Sequence, residues 1–148
     1  YWNKKMSKVR VLFLSTGNTC RSQMAEAWAK ELADDLVDVK SAGIEVQGIN
    51  ETTVSVMSEV GIDMSKQVPA RVNVELLEWA DLIVTLCDNV EEQCPVMNFD
   101  TLKLHLPLSN PAKFKGGDEA ISAAFRQTRD KVKKRVEYVL SQLPLHSS

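Results

Sequence analysis

The sequence contains no apolar run near the roughly 20 residues needed to span a bilayer, and it begins without the pattern of a secretory signal peptide. Its formal net charge of −2 provides no electrostatic basis for binding nucleic acid or an anionic membrane surface. We therefore expect a cytoplasmic protein that has neither of these partners.

Cysteine and histidine are also scarce, with three cysteines and two histidines. Cys20, Cys87 and Cys94 are too few and too oddly numbered for a secreted disulfide scaffold. They also lack the two ligand pairs of a structural zinc site. These absences predict reduced thiols or a redox pair, with no metal and no cofactor.

The length of 148 residues, with 44% hydrophobic and 26% charged residues, is that of one globular domain. Residues 1–5 precede Met6, and we interpret them as an appended linker. The domain is then expected to occupy residues 6–148 and to be a monomer.

One stretch near the beginning has the pattern strand, loop, helix. The apolar run Val9–Leu14 predicts a strand buried on both faces of a parallel sheet. Gly17 and Asn18 follow, and these residue types adopt positive φ most readily, so the backbone can point several N–H groups into one concavity. Such a loop predicts an oxyanion site.

The helix that follows the loop strengthens this prediction. Its apolar residues recur at helical spacing, and its N-terminus, which favours negative charge, falls on the loop. Arg21 adds a planar set of donors that matches a tetrahedral oxyanion, and Ser22 can either cap the helix or donate within the loop. The apolar positions are Ala25, Trp28, Ala29 and Leu32. The expected oxyanion-binding residues are Thr16, Gly17, Asn18, Thr19, Cys20, Arg21 and Ser22.

The rest of the chain alternates predicted strands and helices. The further strands are Leu36–Lys40, Asp81–Leu86 and Lys103–Leu108. The further helices run from about Glu51 to Val60, over a short segment after Asn73, and from Asp118 to about Leu143. This order predicts an α/β fold: a single-domain three-layer sandwich with a four-stranded parallel sheet.

Cys87 follows the third predicted strand, so it should open on the same sheet edge as the loop after Val9–Leu14. Cys94 lies seven residues further on. A helical segment would separate their Cα atoms by roughly 10.5 Å, too far for a disulfide, so a bond between them needs the segment to unwind or loop out. Two unrelated buried thiols remain the alternative to such a switch.

The stretch Ser15-Thr16-Gly17-Asn18-Thr19-Cys20-Arg21-Ser22 resembles the Cys-x5-Arg-Ser loop shared by low-molecular-weight phosphatases and thioredoxin-coupled arsenate reductases. Val84-Thr85-Leu86-Cys87 with Cys94-Pro95 is similar to the shuttle-cysteine segment of the arsenate reductases, which the related phosphatases lack. The resemblance implies a cysteine relay. The loop cysteine attacks arsenate, the residue at Cys87 releases arsenite, and the resulting Cys87–Cys94 disulfide is reduced by thioredoxin.

Two catalytic positions depart from this family pattern. Ser15 stands where the family has its nucleophilic cysteine, and a serine hydroxyl does not ionise there as a thiol would. Asn110, before Pro111, stands where the family has an acidic residue, and an amide is no general acid. We expect the chain as written to be inactive. Cys20 as a substitute nucleophile is the less favoured alternative.

A potassium site found in some relatives is a further point of comparison. Asn18, Glu26 and Ser41 match its positions, but Ala70 replaces a ligating carboxylate, so we do not expect potassium dependence.

Three functions are compatible with these residues. The leading hypothesis is an arsenate reductase scaffold that binds arsenate, phosphate or sulfate and takes electrons from thioredoxin. The second is a low-molecular-weight tyrosine phosphatase, although Ala112 and Lys113 follow Pro111 where an aromatic wall is expected. The third is an oxyanion-binding relative without catalysis.

Overall fold

The computed structural model describes residues 8–18, 20–33, 35–87 and 101–143. In this part of the chain four parallel strands form one sheet in the order β2-β1-β3-β4. The strands are β1 (Val9–Ser15), β2 (Val37–Gly43), β3 (Leu82–Thr85) and β4 (Leu102–His105). The helices are α1 (Arg21–Leu32), α2 (Glu51–Ser58), α3 (Val74–Trp79) and α4 (Asp118–Gln142), with a 3₁₀ turn at Pro111–Lys113. The predicted α/β fold with a four-stranded parallel sheet is confirmed.

Strand β1 lies at the centre of the molecule, between β2 and β3. Its side chains alternate between the two faces of the sheet. Val11 and Phe13 pack into the larger core cluster, which also holds the buried faces of α1, α2 and α4. Leu12 and Leu14 pack into a smaller cluster that includes side chains of α3. Helices on both faces make the three layers.

Every strand differs from its predicted range at one or both ends, by one to three residues, and most at the ends of β2 and β4. β2 continues beyond Lys40 because its parallel pairing with β1 extends to Ser15 and Gly43. β4 ends at His105, short of Leu108. The chain still follows the β3 segment after this point, because the backbone N–H groups of Leu106 and Leu108 donate to the carbonyls of Thr85 and Leu86.

Asparagine side chains cap the N-termini of two helices, and a glycine ends one of these helices. Asn50 accepts hydrogen bonds from the first backbone N–H groups of α2, and Asn73 does the same for α3. Gly61 has φ 83°, and the N–H of Ile62 donates to the carbonyl of Met57 at 3.0 Å, which is a Schellman ending after α2.

One face of α4 packs on the core. Its buried residues recur at spacings of three and four and are Phe125, Thr128, Val132, Val136 and Val139. On α1, in contrast, Leu32 is 39% exposed, because it is the last helical residue and lies past the buried segment.

Among the described residues, no helix is both long and apolar enough to cross a membrane.

Candidate oxyanion site

The loop between β1 and α1 curls where the sequence predicts it. Asn18 adopts the left-handed conformation, with φ 52°, and is fully buried. Thr16 and Gly17 are half-buried, whereas Cys20 is buried with its thiol outside any disulfide. Thr19, which was also predicted to bind the anion, lies outside the described residues.

The side-chain amide of Asn18 holds the loop to the elements around it. Its Nδ2 donates to Ser22 Oγ at 2.7 Å and to Ser41 Oγ at 3.2 Å. Its Oδ1 accepts from Gln23 Nε2 at 3.0 Å and from the backbone N–H of Ala70 at 2.8 Å. Two donors and two acceptor sites are all an amide possesses, so this side chain is saturated.

Ser15, at the predicted nucleophile position, ends β1 and is 2% exposed. Its Oγ lies 2.6 Å from Ser22 Oγ. Ser22 Oγ also accepts from Asn18 Nδ2 at 2.7 Å, and either hydroxyl of the Ser15–Ser22 pair can be the donor between them. Of the two roles predicted for Ser22, the structure therefore shows bonding within the loop. The N-cap position of α1 is Cys20, which makes no side-chain cap.

Arg21 is the first residue of α1 and is 2% exposed. Its Nη1 donates to the carbonyl of Leu108 at 2.9 Å and to the carbonyl of Leu86 at 3.2 Å. A guanidinium has five N–H donors, and these two bonds fix its plane at the carboxyl ends of β3 and β4. The cation thus stands beside the loop at the sheet edge.

Cys87 lies two residues beyond β3 and is 1% exposed. The hydroxyl of Thr16 in the loop donates to its Sγ at 4.0 Å. The prediction that Cys87 and the loop open on the same sheet edge is confirmed by this contact. Cys87 is disulfide-bonded in the structure. Cys94 lies outside the described residues.

Asn110, at the predicted general-acid position, precedes the 3₁₀ turn. Its Oδ1 accepts from the backbone N–H of Ala112 at 3.0 Å, a bond that an aspartate oxygen would make equally well. The residue also lines a cavity of about 350 Å³ between this turn and α4. Compared with an aspartic acid, the asparagine therefore preserves the hydrogen bond of the turn but has no acidic proton to donate.

The residues at the compared potassium positions do not fit that ion. Both lone pairs of Asn18 Oδ1 face N–H donors, and the side chain of Ala70 has no oxygen. The carboxylate of Glu26 accepts from Ser41 Oγ and pairs with the ammonium of Lys30. The Glu26 carboxylate therefore already has a cationic partner, the half-exposed ammonium of Lys30.

Sequence reasoning did not single out Gln23. This side chain is fully buried, donates to Asn18 Oδ1, and accepts from Gln67 Nε2 at 2.6 Å. Its position in the helix could have identified it. Gln23 lies about one turn before Ala27 on the buried face, and a buried polar side chain needs a hydrogen-bonding partner.

Comparisons with known proteins agree with this geometry. The model of the low molecular weight phosphotyrosine protein phosphatase family matches residues 10–147. An arsenate reductase of Halalkalibacterium halodurans is 46% identical over 132 residues, which are 89% of this chain and 95% of that protein.

Two solved structures extend the comparison. An arsenate reductase in the phosphate binding state superposes with a TM-score of 0.68 at 30% identity, covering 90% of this chain and 98% of that one. A mutant arginine phosphatase with a phosphorylated active site serine gives a TM-score of 0.75 at 27% identity, covering 94% and 98%. The chain therefore belongs to the low molecular weight phosphotyrosine protein phosphatase family and groups within it with the arsenate reductases.

Proposed function

We propose that this chain is an arsenate reductase scaffold in which Ser15 has replaced the reacting thiol. The loop Thr16–Ser22 binds arsenate, or phosphate or sulfate in its place. With cysteine at position 15, sulfur attacks arsenic, and Cys87 then attacks that sulfur and releases arsenite. Cys94 attacks Cys87 last. Two thiols lose two electrons, which balances the reduction of arsenic(V) to arsenic(III).

The contact between Thr16 and Cys87 carries this proposal. It places the Cys87 sulfur 4.0 Å from a side chain of the oxyanion loop, where a relay needs its second thiol. The disulfide-bonded state of Cys87 also supports a redox role, and we assign Cys94 as its partner. Thioredoxin is the proposed electron donor, and the protein is proposed to act as a cytoplasmic monomer.

Ser15 and Asn110 together account for the proposed lack of turnover. An oxygen cannot form half of a disulfide, so the relay stops before Cys87 can react. The amide of Asn110 cannot protonate the oxygen that leaves the arsenate. Neither residue belongs to the proposed anion-binding segment Thr16–Ser22.

Restoring the thiol tests the proposal. We expect the Ser15→Cys variant, and more strongly Ser15→Cys with Asn110→Asp, to release arsenite from arsenate in the presence of thioredoxin, thioredoxin reductase and NADPH. Adding Cys87→Ser should abolish turnover, because the second thiol is then absent. The matched control Cys20→Ser should retain it.

Two results would contradict this proposal. One is no arsenite release from the double variant that binds arsenate, and the other is release that survives Cys87→Ser.

Phosphatase chemistry is the second candidate, and the similarity to an arginine phosphatase structure favours it. Phe114, which is 47% exposed beyond the 3₁₀ turn, is an aromatic residue near the acid position. Rapid hydrolysis of an aryl phosphate by Ser15→Cys, unchanged by Cys87→Ser, would support this candidate. A non-catalytic oxyanion-binding role is the third, and it predicts phosphate binding by calorimetry without turnover in any of these variants.

A further inference from the structure

A cavity of about 350 Å³ lies between the 3₁₀ turn Pro111–Lys113 and α4, and no described residue of the loop Thr16–Ser22 lines it. We propose that this cavity is a second binding site, which takes small aromatic molecules that carry two carboxylates. The inference does not depend on the proposed function, because the oxyanion loop takes no part in it.

The charge of the lining determines the sign of the ligand. Lys113 from the turn and Lys131 from α4 both line the cavity, and no carboxylate among the described residues does. Because the whole chain has a formal net charge of −2, this is a local excess of positive charge. Lys131 is exposed and forms no ion pair in the described part of the chain. A cleft lined by one sign of charge attracts ligands of the opposite sign, and two lysines match two negative groups.

A third cation lies one helical turn after Lys131 and has a donor without an acceptor. Arg135 Nε is buried and has no hydrogen-bond partner in the part of the chain that the structure describes. Side chains of an α-helix lie over the turn before their own Cα, so Arg135 extends toward Lys131 and Thr128, which line the cavity. A buried N–H without an acceptor is costly. A carboxylate bound beside Lys131 supplies that acceptor.

Neutral polar groups and the volume of the cavity fit a small organic ligand. The hydroxyls of Ser109 and Thr128 and the amide of Gln127 line the cavity and can donate to carboxylate oxygens. Pockets for small molecules have volumes from about 300 Å³ upward and combine an apolar wall with a few polar groups. At about 350 Å³, this cavity is at the small end of that range. It is suited to a single ring with its substituents.

Phe114 indicates that the body of the ligand is aromatic. Its side chain lines the cavity and is 47% exposed. The ring lies against Gly116, since a Cβ built on that glycine would be 3.2 Å from Phe114 Cε2. The ring is therefore supported from one side, and its exposed part can pack on a second ring. Aromatic pairs attract each other beyond the effect of the area that they bury.

Calorimetric titration of the full chain with phthalate tests the proposal, with inorganic phosphate present in excess to fill the oxyanion loop. We expect one phthalate site. Lys131→Gln and Arg135→Gln should each weaken phthalate binding by about fivefold or more, because each removes a cation from the site. The matched control is Lys133→Gln, which makes the same charge change as Lys131→Gln on the same helix. The Lys133 ammonium lies over the ring of Trp28, 5.2 Å from its centroid, so this variant should bind phthalate as the wild type does.

A second comparison tests the aromatic part of the proposal. Succinate carries two carboxylates without a ring, and we expect it to bind more weakly than phthalate. Phe114→Leu should remove most of that difference, because the ring that packs on the ligand is then absent. Circular dichroism shows whether each variant is folded.

Four results would overturn the inference. They are no phthalate binding by the folded chain, wild-type phthalate affinity in both folded variants Lys131→Gln and Arg135→Gln, succinate binding as tight as that of phthalate, and phthalate binding that phosphate abolishes. The last result would place phthalate in the oxyanion loop. None of the four removes the proposed function, which a separate titration with inorganic phosphate and the arsenite-release assay test.

Discussion

Asn18 is the residue on which the loop conformation depends most. Its backbone has φ 52°, its side chain is buried, and its amide makes four hydrogen bonds to groups on three other segments. An asparagine tolerates this backbone conformation better than most residues, and here its side chain also hydrogen-bonds to all four groups. The conformation of the loop is therefore stabilised by the side chain of one of its own residues.

Asn18→Ala should destabilise the protein by about 3 kcal/mol or more, because it leaves several buried polar groups without partners. Urea denaturation measures the change. The matched control is Asn73→Ala, which removes one exposed capping bond to the N–H of Leu76 and should reduce the free energy of unfolding by about 1 kcal/mol. Equal losses in the two variants would contradict the central role of Asn18.

At the scale of elements, a small cluster of charges connects α2 to α4. Glu59, just after α2, accepts hydrogen bonds from Arg126 Nε at 2.9 Å and Nη2 at 3.0 Å. Arg129 Nη1 donates to the same carboxylate at 3.0 Å and to the carbonyl of Val56 at 2.9 Å. The hydrogen bond from Arg126, followed by that from Arg129, lowers the pKa of Glu59 below its usual value of 4.5.

A lowered pKa in the folded state means that these ion pairs stabilise the fold above the pKa of the unfolded chain and are lost as the pH falls through the folded value. The melting temperature of the wild type should therefore exceed that of Glu59→Gln near neutral pH. The difference should shrink as the pH falls below about 4.5.

Added salt should reduce the same difference, because the side chains of Glu59 and Arg126 are partly exposed to solvent. Arg126→Gln should reproduce most of the Glu59→Gln effect. If the difference in melting temperature between the wild type and Glu59→Gln persisted at low pH, Glu59 would stabilise the fold by packing and not by its charge.

The elements themselves could be predicted from the sequence, because each has a local cause. Each of these causes acts on residues only a few positions away along the chain. Examples are the apolar run Val9–Leu14, the capping side chain of Asn73 and the helix stop at Gly61. The ends of β2 could not be predicted in the same way. Its extension to Gly43 depends on pairing with β1, which is a contact between distant parts of the chain.

On the scale of the whole molecule, Gly43 is where β2 and the oxyanion loop meet. A Cβ built on this glycine would lie 2.7 Å from the backbone nitrogen of Asn18 and 2.7 Å from the carbonyl oxygen of Glu45. These are backbone atoms that cannot easily move aside. Only the absence of a side chain allows the loop to lie so close to the sheet.

Gly43→Ala should therefore destabilise the fold by about 1–3 kcal/mol through overpacking and weaken phosphate binding at least tenfold. Gly117→Ala is the matched control, since nothing lies within 4 Å of the added Cβ, and it should leave phosphate binding unchanged. Calorimetric titration with inorganic phosphate and urea denaturation measure the two effects. Wild-type affinity in a folded Gly43→Ala variant would refute the close approach.

The candidate site could be predicted only in part for a related reason. The loop and its arginine are contiguous, so their residue types and order were sufficient to indicate an oxyanion site. The bonds from Arg21 to Leu86 and Leu108, and from Asn18 to Ala70, join residues that are 52 to 87 positions apart. No local pattern specifies such partners, because they arise from the strand order of the finished sheet.

The two hydrogen bonds from Arg21 to backbone carbonyls connect the anion loop to the segment that carries Cys87. The guanidinium donates to the carbonyl of Leu86, the neighbour of Cys87, so a backbone shift at Cys87 on oxidation would alter a hydrogen bond of Arg21. With the anion binding and relay proposed above, anion affinity and the redox potential at Cys87 would then be thermodynamically linked, and linkage acts equally in both directions. A bound oxyanion would favour one oxidation state by the same factor by which that state favours the oxyanion.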